Sequence, residues 1–166
     1  SITSSMISLE GKSFNITKSL PVSEEKILLS KILTSNIISI PVILLCDIVF
    51  FIKFKTIMLD VIFILLASII IPTFTAMIGL LINLKYPKMN AMNDTEVVKQ
   101  SMSSMVSVFL GIGIFFLSIF GIQFFSKFID FPILLFLHLI IMSICAVLSY
   151  LVLMHWGAKE YRSITV

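Results

Sequence analysis

Four long apolar runs, over about 32–52, 57–84, 102–125 and 132–156, take up most of this 166-residue chain and are parted by short polar clusters. Each is long enough for the roughly 20 residues that cross a bilayer core. No water reaches unpaired backbone groups inside lipid, so runs of this length must satisfy their own hydrogen bonds as helices. The expected fold class is therefore all-α: a polytopic membrane protein with four transmembrane helices, preceded by a short amphipathic segment. Composition agrees, with 58% hydrophobic and 13% charged residues against about 25% charged in soluble domains. The division is a segment at 1–23 and a transmembrane domain at 24–166. The chain opens at Ser1 in polar sequence with no signal-peptide pattern, so it reads as a piece of a longer protein. The last apolar run stops at Trp156, and ten mostly polar residues follow as at a natural end. Cys46 and Cys145 both lie inside apolar runs, as small buried or lipid-facing residues rather than a disulfide or metal pair.

Helix signals extend the first and third runs. Ser23 as N-cap, Glu24 and Glu25 in the first turn, and a Val22–Ile27 staple start the first helix near residue 24. A helix from 24 to 52 is about 43 Å long at 1.5 Å per residue. The membrane core is about 30 Å thick, so its first turns belong in the interface, with Pro41 kinking the remainder. The second run carries Pro72 among Ser68, Thr75, Ala76 and Gly79, a place where hydroxyls or neighbouring helices can satisfy the freed carbonyl. Asn93 with Glu96 resembles a capping box and predicts a third helix running on from Asp94. Ser103, Ser107 and Gly111 form an i, i+4 stripe of small residues suited to close helix packing.

Basic residues set the expected topology. Lys12, Lys18, Lys26 and Lys31 precede the first span, Lys85, Lys88 and Lys99 lie in the middle connector, and Lys159 and Arg162 lie in the tail. The other two connectors hold Lys53, Lys55 and Lys127, so the division is nine against three. The positive-inside rule then puts the N-terminal segment, the middle connector and the C-terminus in the cytosol of a multi-pass cell-membrane protein. A net charge of +3 spread in this way is flanking charge and not a nucleic-acid surface.

Several chemistries are absent. Gly11-Lys12-Ser13 matches the end of a phosphate-binding loop, but the loop needs a glycine five residues earlier, where Met6 stands. No HExxH zinc motif occurs. Glu24-Glu25 resembles the acidic pair of CAAX-type membrane proteases, but the arginine expected four residues later is Leu29. No catalytic residue, no metal site and no enzymatic activity are expected of this chain. Asp60 and His155 fall near the ends of their runs, at the interfaces, which leaves Asp47 and His138 as the candidates for a translocation path. For Asp47 the alternatives are pairing with Lys53 or Lys55, protonation, or a water-filled cavity. Lys55 is also in reach of Asp60. For His138 the bland alternative is a helix–helix hydrogen bond.

A cytosolic segment just ahead of a Lys-flanked span resembles the permeases of the type-2 ABC exporter family. The residues that carry the likeness are Glu10, then Phe14, Ile16 and Leu20, then Leu20-Pro21-Val22-Ser23, then Lys31. Many members separate the acid and the glycine by several residues, whereas Glu10-Gly11 are adjacent here. A second patch is similar to the cytosolic connector of a bacterial subgroup, through Asn83, Tyr86-Pro87-Lys88, Glu96 and Val98-Lys99-Gln100-Ser101.

The resemblance implies the last four spans of a six-span unit, with two further spans upstream. It implies a coupling helix that docks on a separate ATPase subunit and passes its closure to the spans. Phe14, Ile16 and Leu20 would be its apolar anchors, and Lys12 and Lys18 would pair with acidic residues of the ATPase. Pro21 would set the angle to the first span, with Glu10 and Gly11 completing the element. This chain would bind no cofactor. ATP would sit on the partner, and a second permease half and membrane lipid would be its other partners. A segment resting on lipid headgroups is the plainer alternative for the coupling element. A fragment of an ion-gradient-driven secondary transporter or channel is the alternative function, and it predicts ionisable groups near the bilayer midplane.

Overall fold

A computed structural model describes residues 2–54, 57–89 and 93–164. All regular structure among them is helical. The N-terminal segment holds α1 (Thr3–Met6), a 3₁₀ stretch over Ser8–Ser13 broken at Gly11, and α2 (Phe14–Lys18). The long helices are α3 (Glu24–Lys53), α4 (Met58–Lys85), α6 (Met102–Phe125) and α7 (Phe131–Val152), with the short α5 (Asp94–Gln100) ahead of α6. A π turn over Leu153–Gly157 carries α7 on into α8 (Ala158–Ser163). Four helices are long and apolar enough to cross a membrane: α3, α4, α6 and the α7–α8 rod.

The first helix begins where its signals put it. Ser23 has the extended backbone of an N-cap, although its hydroxyl makes no capping bond. Pro41 and Pro72 both lie inside continuous helices. Around Pro72 the hydroxyls turn to nearby carbonyls: Thr73 Oγ1 donates to Ile69 O at 2.7 Å and Thr75 Oγ1 to Pro72 O at 3.0 Å. Thr73 Oγ1 also accepts from Asn36 Nδ2 at 3.0 Å, tying α3 to α4 at mid-span.

One expectation about helix ends is corrected. The third helix does not run unbroken from Asp94, because Ser101 is extended (φ −78°, ψ 143°) and separates α5 from α6. Its hydroxyl accepts from Ser104 N at 3.2 Å, so Ser101 caps α6. Asn93 makes no capping bond, and Glu96 pairs with Lys88 at 2.6 Å instead of closing a capping box. Past Trp156, where the apolar run stops, helix continues to Ser163 and its last turns lie against α3. The π turn at this junction packs Gly157 tightly, since a Cβ there would lie 2.9 Å from Leu153 Cδ1 and 3.2 Å from Leu84 Cδ1.

Helix α4 is central and packs on α1, α3, α6 and α7. The dense core sits at one end of the bundle, where Ile7 and Phe14 join Leu28, Leu80, Leu84, Leu153 and Tyr161. Away from it the long helices show apolar side chains outward, as lipid-facing helices do. The N-terminal segment is thus built into the core of the membrane domain rather than standing apart from it.

Candidate functional site

The N-terminal segment, the end of α4, the starts of α3 and α6, and the tail meet at one end of the molecule. Direct bonds prove the proximity, including Lys88 N to Ser8 Oγ at 2.9 Å and Lys18 Nζ to Ile164 O at 2.9 Å. The three lysine-rich groups that charge counting placed on a common side are therefore at a common end. Gly11-Lys12-Ser13 lies in the 3₁₀ stretch, and Gly11 holds φ 46°, ψ −122°, a left-handed conformation that glycine alone adopts easily. No strand precedes it among the described residues, so the frame of a phosphate-binding loop is missing.

Phe14, expected as an outward anchor, points inward. It is 0% exposed, and its ring centroid lies 4.9 Å from that of Tyr161, itself fully buried. The reason is helical geometry: residues two apart on a helix are about 200° apart, so Phe14 and Ile16 cannot share a face. Ile16 is the outward residue at 68% exposure, followed by Leu20 at 50% and Val22 at 45%. Lys18, four residues after Phe14, shares its inner side and lies 6.0 Å from the Phe14 centroid. Its ammonium donates to Arg162 O at 2.7 Å and Ile164 O at 2.9 Å, capping carbonyls at the end of α8. Lys18 is therefore engaged at home, not held free for a partner. The Lys12 side chain lies outside the described residues. Past Pro21 the chain turns tightly, with Val22 N donating to Leu20 O at 2.8 Å, and both residues stay exposed.

Residues that carried the family likeness prove to be ties between elements. Glu10 pairs with Lys31, joining the 3₁₀ stretch to α3, and both side chains are largely buried. Glu24, of the protease-like acidic pair, accepts from Arg162 Nε at 2.8 Å and so fastens the tail to the start of α3. Asn83 is fully buried and uses its whole amide. Its Oδ1 accepts from Ile7 N at 2.8 Å and Ser8 N at 3.2 Å. Its Nδ2 donates to Ser8 Oγ at 2.7 Å and Ser103 Oγ at 3.1 Å. A lone Asn near the end of an apolar run is the signal that marks this residue, because a buried amide must find partners.

The intramembrane candidates do not come together. Asp47 is half-buried on α3 and accepts from Ser68 Oγ of α4 at 2.5 Å. Lys53 makes no ion pair among the described residues, and Lys55 lies outside them. His138 is half-buried in a groove between α6 and α7, with Ser118, Gly121 and Met142 nearby, and makes no hydrogen bond with a described residue. Of the small-residue stripe, Ser103 is buried against Asn83, whereas Ser107 and Gly111 line an open crevice with Thr75 and Gly79. Nothing lies within 4 Å of where a Gly111 Cβ would be, so close packing holds at the start of α6 and is lost along it. Among the described residues no three His, Cys, Asp or Glu side chains gather as a metal site.

A family model described as "Membrane protein of 12 TMs" matches residues 1–151. The chain belongs to this family. It is a multi-span membrane protein, and the described residues hold four membrane-length helices where the family description has twelve. No curated protein and no solved structure matches the chain.

Proposed function

We propose that this chain is part of the membrane-spanning permease of an ATP-driven exporter of the type-2 ABC kind. In this reading the N-terminal segment passes the closure of a separate ATPase to the spans. The observation that carries it is the posture of α2. A short helix is tied to the tail by Phe14 and Lys18 and turns Ile16 outward, with Leu20 and Val22 exposed in the turn that follows it. Such a patch, small, apolar and rigidly backed, suits docking against another protein. The segment stands at the end with the nine basic residues, which the positive-inside rule assigns to the cytosol, where ATP is. Hydrolysis then belongs to the partner, and this chain binds no cofactor. Twelve spans in the family description equal two six-span units, which fits paired halves carried on one chain.

The reading predicts a P-loop ATPase encoded beside the gene. Ile16→Asp/Leu20→Asp should abolish its association with the full-length protein while leaving folding intact, and unchanged association would overturn the docking claim. A gradient-driven transporter is favoured by one observation, the Asp47–Ser68 contact within the spans. Asp47→Asn separates the two readings, since transport should survive it in the exporter and be lost in a carrier that uses this carboxylate.

A further inference from the structure

Helix α6 is attached to the rest of the chain unlike the other spans. Of its described side chains only Ser103 and Ser104, in its first turn, are buried. Beyond them it borders α4 and α7 across open crevices, and a Cβ at Gly111, Gly113 or Gly121 would meet nothing within 4 Å. The attachment at its start is polar and fully bonded. Ser103 Oγ accepts from Asn83 Nδ2 at 3.1 Å and lies 3.1 Å from Ser101 Oγ, and Ser104 Oγ donates to Val97 O at 3.3 Å. The same Asn83 amide holds Ser8 through its Nδ2, and Ser8 Oγ also accepts from Lys88 N. One buried side chain thus grips the N-terminal segment, α4 and α6 together. Ser101, extended, breaks the helix just before this point, so α5 and α6 are separate helices tied at the bend by the Ser104–Val97 bond.

We propose that α6 is a lever pivoting on the pin formed by Asn83, Ser8 and Ser103, and that the N-terminal segment sets its tilt. Hydrogen bonds suit a pivot because they are directional yet survive small rotations, whereas a knobs-into-holes seam along the helix would resist tilting. From Ser103 to Phe120 the helix rises about 25 Å, so a tilt of about 10° carries Phe120 by about 4 Å. Such a tilt widens or narrows the crevices beside α4 and α7 where Ser107 and His138 lie. Asn83 and Ser8 are positioning residues in this mechanism; neither touches what passes through the crevices. The proposal rests on the coupling reading only for what pushes the segment.

Electron-spin distance measurements on full-length protein in lipid nanodiscs test it, with native cysteines (Cys46 and Cys145 in this chain) replaced by alanine. Labels at Leu59 of α4 and Phe120 of α6 report the lever, and labels at Leu59 and Ile133 of α7 are the control; all three positions are exposed. Asn83→Leu would strip several buried groups at once and endanger folding, so the milder Ser103→Ala and Ser8→Ala are used. Both should shift or broaden the Leu59–Phe120 distance by several ångströms and leave Leu59–Ile133 unchanged. A shift with Ser103→Ala alone would overturn the role of the segment. No shift with either, or an equal shift in the control pair, would overturn the lever. No ATPase is present in this measurement. A missing ATPase partner would therefore refute the coupling reading and spare the lever, and unmoved distances would do the reverse.

Discussion

Replacing Phe14 with alanine should loosen the N-terminal segment far more than the same change at Ile16, two residues away. Phe14 is fully buried, in the core shared by Leu28, Leu80, Leu84 and Tyr161. Truncating such a ring costs about 3–5 kcal/mol, of which the contact with Tyr161 accounts for about 0.5–1.5 kcal/mol. Ile16, 68% exposed, belongs with surface positions that change stability by about 0.5 kcal/mol or less. The gap of at least about 2.5 kcal/mol falls on local opening of residues 12–22, which the remaining spans need not follow. Trypsin cleavage after Lys18 reads that opening, because proteolysis tracks the population of the open form when reclosing is fast. A loss of about 3 kcal/mol raises the open population on the order of a hundredfold. Phe14→Ala should therefore speed cleavage after Lys18 by that order in full-length protein in nanodiscs, with Ile16→Ala near wild type. Equal rates for the two variants, or no change with Phe14→Ala, would refute the inward packing of α2.

Three further outcomes follow from the same end of the molecule and from the spans below it. Ser101→Ala removes the cap of α6 and should lower thermal stability by about 1 kcal/mol, read as earlier melting in detergent, whereas Asn93→Ala should change little because Asn93 makes no capping bond. Lys31→Met leaves Glu10 largely buried without its counter-charge, a loss of about 3–5 kcal/mol; adding Glu10→Gln should recover most of it, and a double-mutant cycle with no coupling would contradict the pairing. Asp47→Asn keeps an acceptor for the Ser68 hydroxyl, so it should lower the melting temperature only slightly and leave exporter transport intact.

The spans were legible because length and apolarity alone decide them in lipid: α3 and α4 begin and end within a residue or two of their expected bounds. Grouping of the lysines was legible for the same reason, since alternate connectors must fall at alternate ends. Less legible was where side chains face in the short pieces. The resemblance makes Phe14, Ile16 and Leu20 anchors alike, but a five-residue helix turns Phe14 and Ile16 to opposite sides. The break at Ser101 was hidden because serine is tolerated within helices and Asn93 with Glu96 offered an equally good start upstream. Asn83 and Lys18 act through partners 75 and 144 residues away, and no local pattern announces a contact of that range. Glu10, Lys31, Asn83 and Lys88 stand out in the sequence as residues that carry the family resemblance, and in the fold each ties one element to another.

If the N-terminal segment couples a separate ATPase to the spans, α2 and the turn after it must receive the push through their outward residues, Ile16 and Leu20. The most direct measurement is ATP hydrolysis by the neighbouring P-loop ATPase, reconstituted with full-length protein carrying Ile16→Asp/Leu20→Asp. Coupling through α2 predicts that the double variant folds, withstands trypsin as the wild type does, and neither binds nor stimulates the ATPase. Wild-type binding and stimulation by that variant would contradict it.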